Sequence, residues 1–400
     1  MTDALAADAV ALILAGGNGT RLGELTRWQC KPALSFAGHY RNIDFTLSNC
    51  VHSSVRRVAV LTQYKSHTLI KHLTRGWNHL SARLGEFIEV WPAQQRLSTA
   101  WYAGTADAVY QNLDVLSAYG RKYTLVLAGD HIYQMDYRAL LARHAASGAA
   151  VTVACVPVAL EEAGSFGVVG ADGGRVRSFI EKPAPGALDT AADHVLASMG
   201  VYVFDTDFLS DRLLRDACNA ESSHDFGRDI LPVAVHHDHV AVFAFTDDAG
   251  RPRYWRDVGT LDAYWRAHME LLAEEPALDL NDPRWPVLTY AEPLPPAQLL
   301  GGGRRRPSVS NSLLSAGVVV RGASVERCVL STGVTIEADC VLEEAVVLPG
   351  ARIAPGCRLR RVIIDAESCV PEGTVIGEDG PAPVALVTRE PPEPGLRCVA

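Results

Sequence analysis

No stretch of this chain approaches the roughly 18 consecutive apolar residues that a membrane-spanning helix requires, so no spanning segment and no membrane partner are expected. The N-terminus carries Asp3 and Asp8 and no basic residue ahead of its first apolar run, which reads as a strand and not as a signal peptide. Paired cysteines are missing as well. The nine cysteines (30, 50, 155, 218, 328, 340, 357, 369, 398) are odd in number, scattered and never spaced Cys-x-x-Cys, a pattern that fits reduced thiols in a cytoplasm. Positive charge is in short supply: the net charge of −9 argues against nonspecific DNA or RNA binding. A phosphate ligand must therefore be met by a local cluster of cations. Two familiar phosphate loops are also absent, because no Gly-Lys-Ser/Thr follows the first strand and the glycine spacing there does not suit a dinucleotide fingerprint.

What is present near the start is an apolar run, Val10 to Leu14, followed by Ala15-Gly16-Gly17-Asn18-Gly19-Thr20-Arg21-Leu22, with Lys31-Pro32 about ten residues later. A strand that ends in a glycine turn with Thr and Arg beside it brings bare backbone N–H groups and one cation against a phosphate. The turn points to a nucleotide.

Length and the 48% hydrophobic content allow a large core and about two to three domains. Through residue 270 short apolar runs (Val10 to Leu14, Val58 to Leu61, Tyr123 to Leu127, Val151 to Val156, Met199 to Phe204) alternate with helical patterns, the signature of an α/β fold with a mostly parallel sheet. Ligands in such sheets sit at the carboxyl ends of the strands, where Gly16 and Asp130 should meet at one cleft. Prolines 286, 293, 295 and 296, then Gly301-Gly-Gly303 and Arg304-Arg-Arg306, mark a linker. Beyond residue 318 apolar residues recur every six positions at Val329, Val341, Val347, Ile353 and Leu359, with Thr335 in the series, then after a slip at Ile364, Val370 and Ile376. That period predicts a parallel β-helix. The expected boundaries are 1–282, a linker 283–310, and the β-helix 311–400.

Several stretches carry chemistry. Asp130 follows Leu127-Ala-Gly directly, and Asp257 lies in Trp255-Arg-Asp-Val-Gly-Thr260. Each is either a cap or turn residue or one of two carboxylates for Mg²⁺, which prefers oxygen ligands plus substrate phosphates. Glu181-Lys182-Pro183 is either a surface ion pair or a sugar-phosphate contact, with Glu181 accepting from hydroxyls and Lys182 meeting the phosphate. Trp101-Tyr102-x-Gly104-Thr105 is either a helix start capped by Thr105 or a platform for a base.

Taken together, the opening turn with Lys31-Pro-Ala33, Ile43-Asp-Phe45, Leu47-Ser-Asn49, Thr62-Gln-Tyr64, Pro92-Ala-Gln-Gln-Arg96, Trp101-Tyr102, Ala128-Gly-Asp-His-Ile-Tyr133, Glu181-Lys-Pro183, Ala197-Ser-Met-Gly200, Ser222-Ser-His-Asp-Phe-Gly227 and Trp255-Arg-Asp-Val-Gly-Thr260 resembles the bacterial glucose-1-phosphate adenylyltransferases. The resemblance covers nearly the whole chain. It implies a Rossmann-like nucleotidyltransferase domain with a mostly parallel mixed sheet, followed by a left-handed parallel β-helix for regulation and oligomerisation. It also implies transfer of AMP from ATP to α-D-glucose 1-phosphate, giving ADP-glucose and pyrophosphate with Mg²⁺, as the committed step of glycogen synthesis in a cytoplasmic, allosterically regulated homotetramer.

By motif position, Arg21, Lys31 and Asp130 are the implied catalytic residues, and Gly16, Gly17, Gly19, Thr20, Gln63, Gln95, Gly104 and Thr105 the implied ATP contacts. Tyr102, Gly167, Glu181, Lys182 and Ser198 are the implied glucose-1-phosphate contacts, and Asp130 and Asp257 the implied metal ligands. Members activated by fructose 1,6-bisphosphate carry basic residues just before the motif lysine, where this chain has Trp28-Gln-Cys30. His39, Arg41, Arg360 and Arg361 remain as candidate effector contacts, and weak or absent activation by that sugar bisphosphate is expected. The rival readings are a transferase using UTP, dTTP or GTP, a silent regulatory paralogue, and an acetyltransferase. The last is disfavoured because the β-helix contains no histidine to serve as a general base.

Overall fold

The computed structural model describes residues 2–17, 19–94, 101–188, 192–303, 306–377 and 383–389. The chain divides into two compact units, one of Met1–Gly17, Phe45–Trp255 and Arg284–Leu288, the other of Asn18–Asp44, Arg256–Pro283 and Thr289–Ala400.

The first unit is built on a nine-stranded sheet. Its strands are β1 (Ala9–Leu14), β2 (Arg57–Thr62), β3 (Phe87–Pro92), β4 (Tyr123–Ala128), β5 (Val151–Ala159), β6 (Gly167–Asp172), β7 (Arg175–Glu181), β8 (His194–Asp205) and β9 (Val240–Ala244). They lie in the order β3-β2-β1-β4-β8-β5-β9-β7-β6. β1 is fully covered along most of its length and pairs in parallel with β2 and β4, which is why it reads as an unbroken apolar run. All five apolar runs are strands of this sheet. The sheet is mostly parallel and mixed, as the resemblance implies: β8 is antiparallel to both β4 and β5, so one side is parallel and the other mixed. The register of β8 on β5 shifts between Ser198 and Tyr202, where Gly200 has a φ of 65°. Such a bulge re-aims the side chains next to it, and Ser198 is one of them.

The second unit contains three five-stranded parallel sheets, the three walls of the left-handed β-helix. Pairing of Val319 with Thr335 and of Thr335 with Arg352 means that a coil takes 16 or 17 residues, not three sixes. The interior line is Leu330, Ile336, Leu342, Val347, Ile353, Leu359 and Ile364, whereas Thr335 and Val341 are half-buried at its edge. The six-residue register is therefore off by one before Val347. One corner is short: only Glu344 and Ala345 separate Val341–Glu343 from Val346–Val347, and Glu344 turns it in the left-handed region with a φ of 51°. Arg327 and Arg361 do the same one coil away on either side. Strands Gln298–Leu300 and Ser308–Ser310 already belong to these walls, inside the stretch read as linker.

Candidate active site

In the first unit the glycine turn leaves β1 between two neighbours. The Ala15 amide donates to Leu61 O (2.9 Å) and the Gly129 amide to Leu14 O (3.1 Å), so the ends of β1 and β4 are tied side by side. A β-carbon on Gly129 would lie 2.8 Å from Ile13 Cγ2, too close for any side chain. Gly16 and Asp130 thus emerge at the same edge of the sheet, as strand order predicts. Next to Asp130, His131 Nδ1 hydrogen-bonds Met199 O (3.0 Å), and its ring meets Trp255 edge-on at 5.0 Å.

Gln63 and the 101–105 segment form one assembly. Gln63 Oε1 accepts from the Tyr102 amide (2.7 Å) while Gln63 Nε2 donates to Tyr102 O (3.3 Å), so its amide closes this segment onto the end of β2. The Tyr102 side chain is buried and its hydroxyl accepts from Asn112 Nδ2 (3.0 Å); burial raises this phenol above its ordinary pKa. Thr105 is not the cap of the helix Thr105–Tyr110. Gly104 occupies that position, and Thr105 Oγ1 instead donates to Asp225 Oδ2 (2.9 Å) and accepts from the Phe226 amide (3.0 Å). Gln95 lies outside the described residues.

At the far end of the sheet Glu181 closes β7 opposite Gly167 of β6. Lys182 follows with a φ of 46°, and its Nζ stands 3.2 Å from Glu181 Oε1. Ser198 Oγ lies 3.2 Å from the Tyr202 hydroxyl, buried beneath this edge.

The second unit carries the remaining charged groups. Gly19 is left-handed (φ 60°), and Thr26 Oγ1 donates to both Gly19 O (3.0 Å) and Gly23 O (3.1 Å), which fixes the 3₁₀ turn Thr20–Thr26 that presents Arg21. Lys31 opens a second short 3₁₀ turn, and Asn42 Nδ2 donates to its carbonyl (3.0 Å). The Lys31 ammonium is buried against Asp257 Oδ1, and Arg21 reaches Asp257 Oδ2 at 3.5 Å from a solvent-exposed position. A β-carbon on Gly259 would fall 2.9 Å from the Arg21 guanidinium, so this glycine leaves the room that Arg21 uses.

The four candidate effector residues do not form one free cationic patch. Arg41 turns inward to donate to Ala33 O, and burial lowers its pKa. His39 packs on Tyr40 at 4.0 Å, its pKa lowered by burial against the opposing pull of Asp44. Arg360 stands 3.5 Å from Glu343, and Arg361 lies over the Trp265 ring (4.8 Å) and 3.7 Å from Asp262.

With this geometry in place, comparison with known proteins is decisive. The nucleotidyl transferase family profile matches residues 10–274, and a GlmU-like C-terminal hexapeptide profile matches residues 295–385. Glucose-1-phosphate adenylyltransferase 2 of Alkalilimnicola ehrlichii is 48% identical over 96% of this chain and 94% of its own length. The glucose-1-phosphate adenylyltransferases of Shewanella amazonensis and Methylobacillus flagellatus are 51% and 50% identical over 94% and 93% of this chain, and over 90% and 89% of their own lengths. The chain belongs to the glucose-1-phosphate adenylyltransferases. It is accordingly a nucleotidyltransferase.

Within this adenylyltransferase, sequence reasoning overlooked the part that Asp225 plays. Its Oδ1 caps the turn Phe226–Ile230 by accepting from the Gly227 (2.9 Å) and Arg228 (3.1 Å) amides, while its Oδ2 accepts a hydrogen bond from Thr105 Oγ1. An aspartate immediately before Phe-Gly was the available signal, since Asp favours the position that opens a helical turn.

Proposed function

We propose that this enzyme joins ATP and α-D-glucose 1-phosphate to give ADP-glucose and pyrophosphate. An oxygen of the sugar phosphate attacks the α-phosphorus in line. The new P–O bond forms as the bond from the α-phosphorus to the bridging oxygen breaks, and the electron pair leaves on pyrophosphate. Positioning and charge neutralisation supply most of the rate, and no protein nucleophile is needed.

The observation that carries this reading is the buried ion pair of Lys31 with Asp257, joined by Arg21. A buried pair is weak evidence for stability, because desolvation cancels much of its attraction. Two cations held on one carboxylate are instead suited to binding a polyphosphate. In this reading Gly16, Gly17 and Gly19 offer amides to the triphosphate, and Thr20, Arg21 and Lys31 also meet it. Gln63, Gln95, Gly104 and Thr105 border the base, and Tyr102, Gly167, Glu181, Lys182 and Ser198 border the sugar phosphate. Asp130 and Asp257 each offer carboxylate oxygens, the donors Mg²⁺ prefers; when bound, that ion would neutralise phosphate charge.

The committed step of glycogen synthesis, allosteric control, a cytoplasmic location and a homotetramer complete the proposal, and all four are supported by family membership. Light scattering should give four times the 43.1 kDa chain mass. The deciding test is pyrophosphate release with Mg²⁺ across ATP, UTP, dTTP and GTP and several sugar 1-phosphates. ATP with α-D-glucose 1-phosphate should lead, and a faster reaction with UTP or dTTP would overturn the assignment.

A further inference from the structure

We infer that Gly227 is a positioning residue for Glu181: by having no side chain, it leaves the slot in which the Glu181 carboxylate is held against the sugar. The inference rests on the reading above that Glu181 accepts hydrogen bonds from the sugar hydroxyls. A β-carbon built on Gly227 would lie 2.5 Å from Glu181 Oε2 and 2.9 Å from Glu181 Cδ. A β-carbon on Gly167 would lie 2.8 Å from the same oxygen. The carboxylate therefore lies against two glycines, one on the neighbouring strand and one on the 222–227 segment.

The backbone does not demand glycine at 227, because this residue is absent from those with positive φ. What demands it is space. The segment carrying Gly227 cannot retreat to make more. Its amide is held by Asp225 Oδ1, and Asp229 Oδ2 accepts from Ser223 Oγ (2.6 Å) and from the Asp225 amide (2.9 Å). Behind it the Ala106 amide donates to His224 O (2.8 Å), Thr105 is bonded to both Asp225 and Phe226, and Gly104 approaches so closely that its own β-carbon would fall 2.2 Å from His224 O. A methyl group at 227 thus displaces the one partner free to move, the far end of the Glu181 side chain. Folding is spared and the site is not. Gly167 is a poorer probe, since its β-carbon would also strike the buried Phe179 ring at 2.5 Å.

The test is steady-state kinetics and thermal melting of full-length Gly227→Ala. Displacing a positioning group by about 1 Å can cost on the order of a hundredfold, and here the loss should fall on the KM for α-D-glucose 1-phosphate, with the KM for ATP and the melting midpoint nearly unchanged. Glu181→Asp, whose shorter side chain withdraws from the added methyl, should be markedly less harmful in the Gly227→Ala background than in the parent, a coupling expected only of groups in contact. Equal rises in both KM values, additive losses in the double variant, or an unfolded Gly227→Ala would each overturn the inference. Glu181→Gln separates the two levels. If it leaves the sugar-phosphate KM unchanged, the reading of Glu181 itself fails; if it raises that KM and Gly227→Ala does not, only the positioning role fails.

Discussion

Lys31 and Asp257 are 7% and 11% exposed, so each depends on the other more than a surface pair does. Removing Lys31 takes away the buried cation of the pair, while Arg21 stays 3.5 Å from Asp257 Oδ2. Lys31→Met should therefore cost about 1–3 kcal/mol of stability, the scale of losing one hydrogen bond to a charged group, as well as activity, whereas adding Asp257→Asn should recover part of the stability and none of the activity. Chemical denaturation and turnover measured on the same three proteins check this.

Asp130 gives a second test at this scale. Asp130→Asn should lower turnover by roughly two to four orders of magnitude, the scale of losing a key electrostatic group, and near-normal turnover would clear Asp130 of its role. His268 provides a pH effect. It is fully buried, its Nε2 accepts from the Ala37 amide (3.2 Å), and burial lowers its pKa to about 4. The folded protein keeps this ring neutral down to about pH 4, while the unfolded chain protonates it below about 6.5. Stability should therefore fall as pH drops through that window, by up to about 1.4 kcal/mol per pH unit. Denaturation of His268→Gln across the same range should lack that component.

Secondary-structure elements divide by how much of their geometry is local. The glycine turn and β1 were readable because a strand buried on both faces is simply apolar and a turn with left-handed residues needs glycine, as at Gly19. The β-helix was readable in kind but not in register. Its corners differ in length, and Arg327, Glu344 and Arg361 occupy left-handed positions that their side chains do not advertise. The corrected register makes a prediction. Leu342 points into the fully packed interior and Val341 does not. Leu342→Ala should cost about 2–5 kcal/mol through its cavity, with Val341→Ala clearly milder; equal losses measured by thermal melting would refute the register.

Regulation belongs to the scale of the whole molecule. Family members that respond to fructose 1,6-bisphosphate are expected to carry basic residues where this chain has Trp28-Gln-Cys30. Arg41, Arg360 and Arg361 are engaged with Ala33, Glu343, and Trp265 with Asp262. A kinetic titration with this sugar bisphosphate should show little or no activation, and a large saturable rise would overturn that expectation.

Family membership and the α/β-then-β-helix order were determined by sequence alone. Glycine turns, buried apolar runs and repeat period are local patterns, and a linear chain displays them. Partnerships between distant residues needed the tertiary structure: the closure of Gln63 on Tyr102, the bond from Thr105 to Asp225, and the slot that Gly227 leaves for Glu181. Such arrangements follow from strand order, from the bulge in β8 and from atoms that are absent, and none of these has a signature within any one segment of chain.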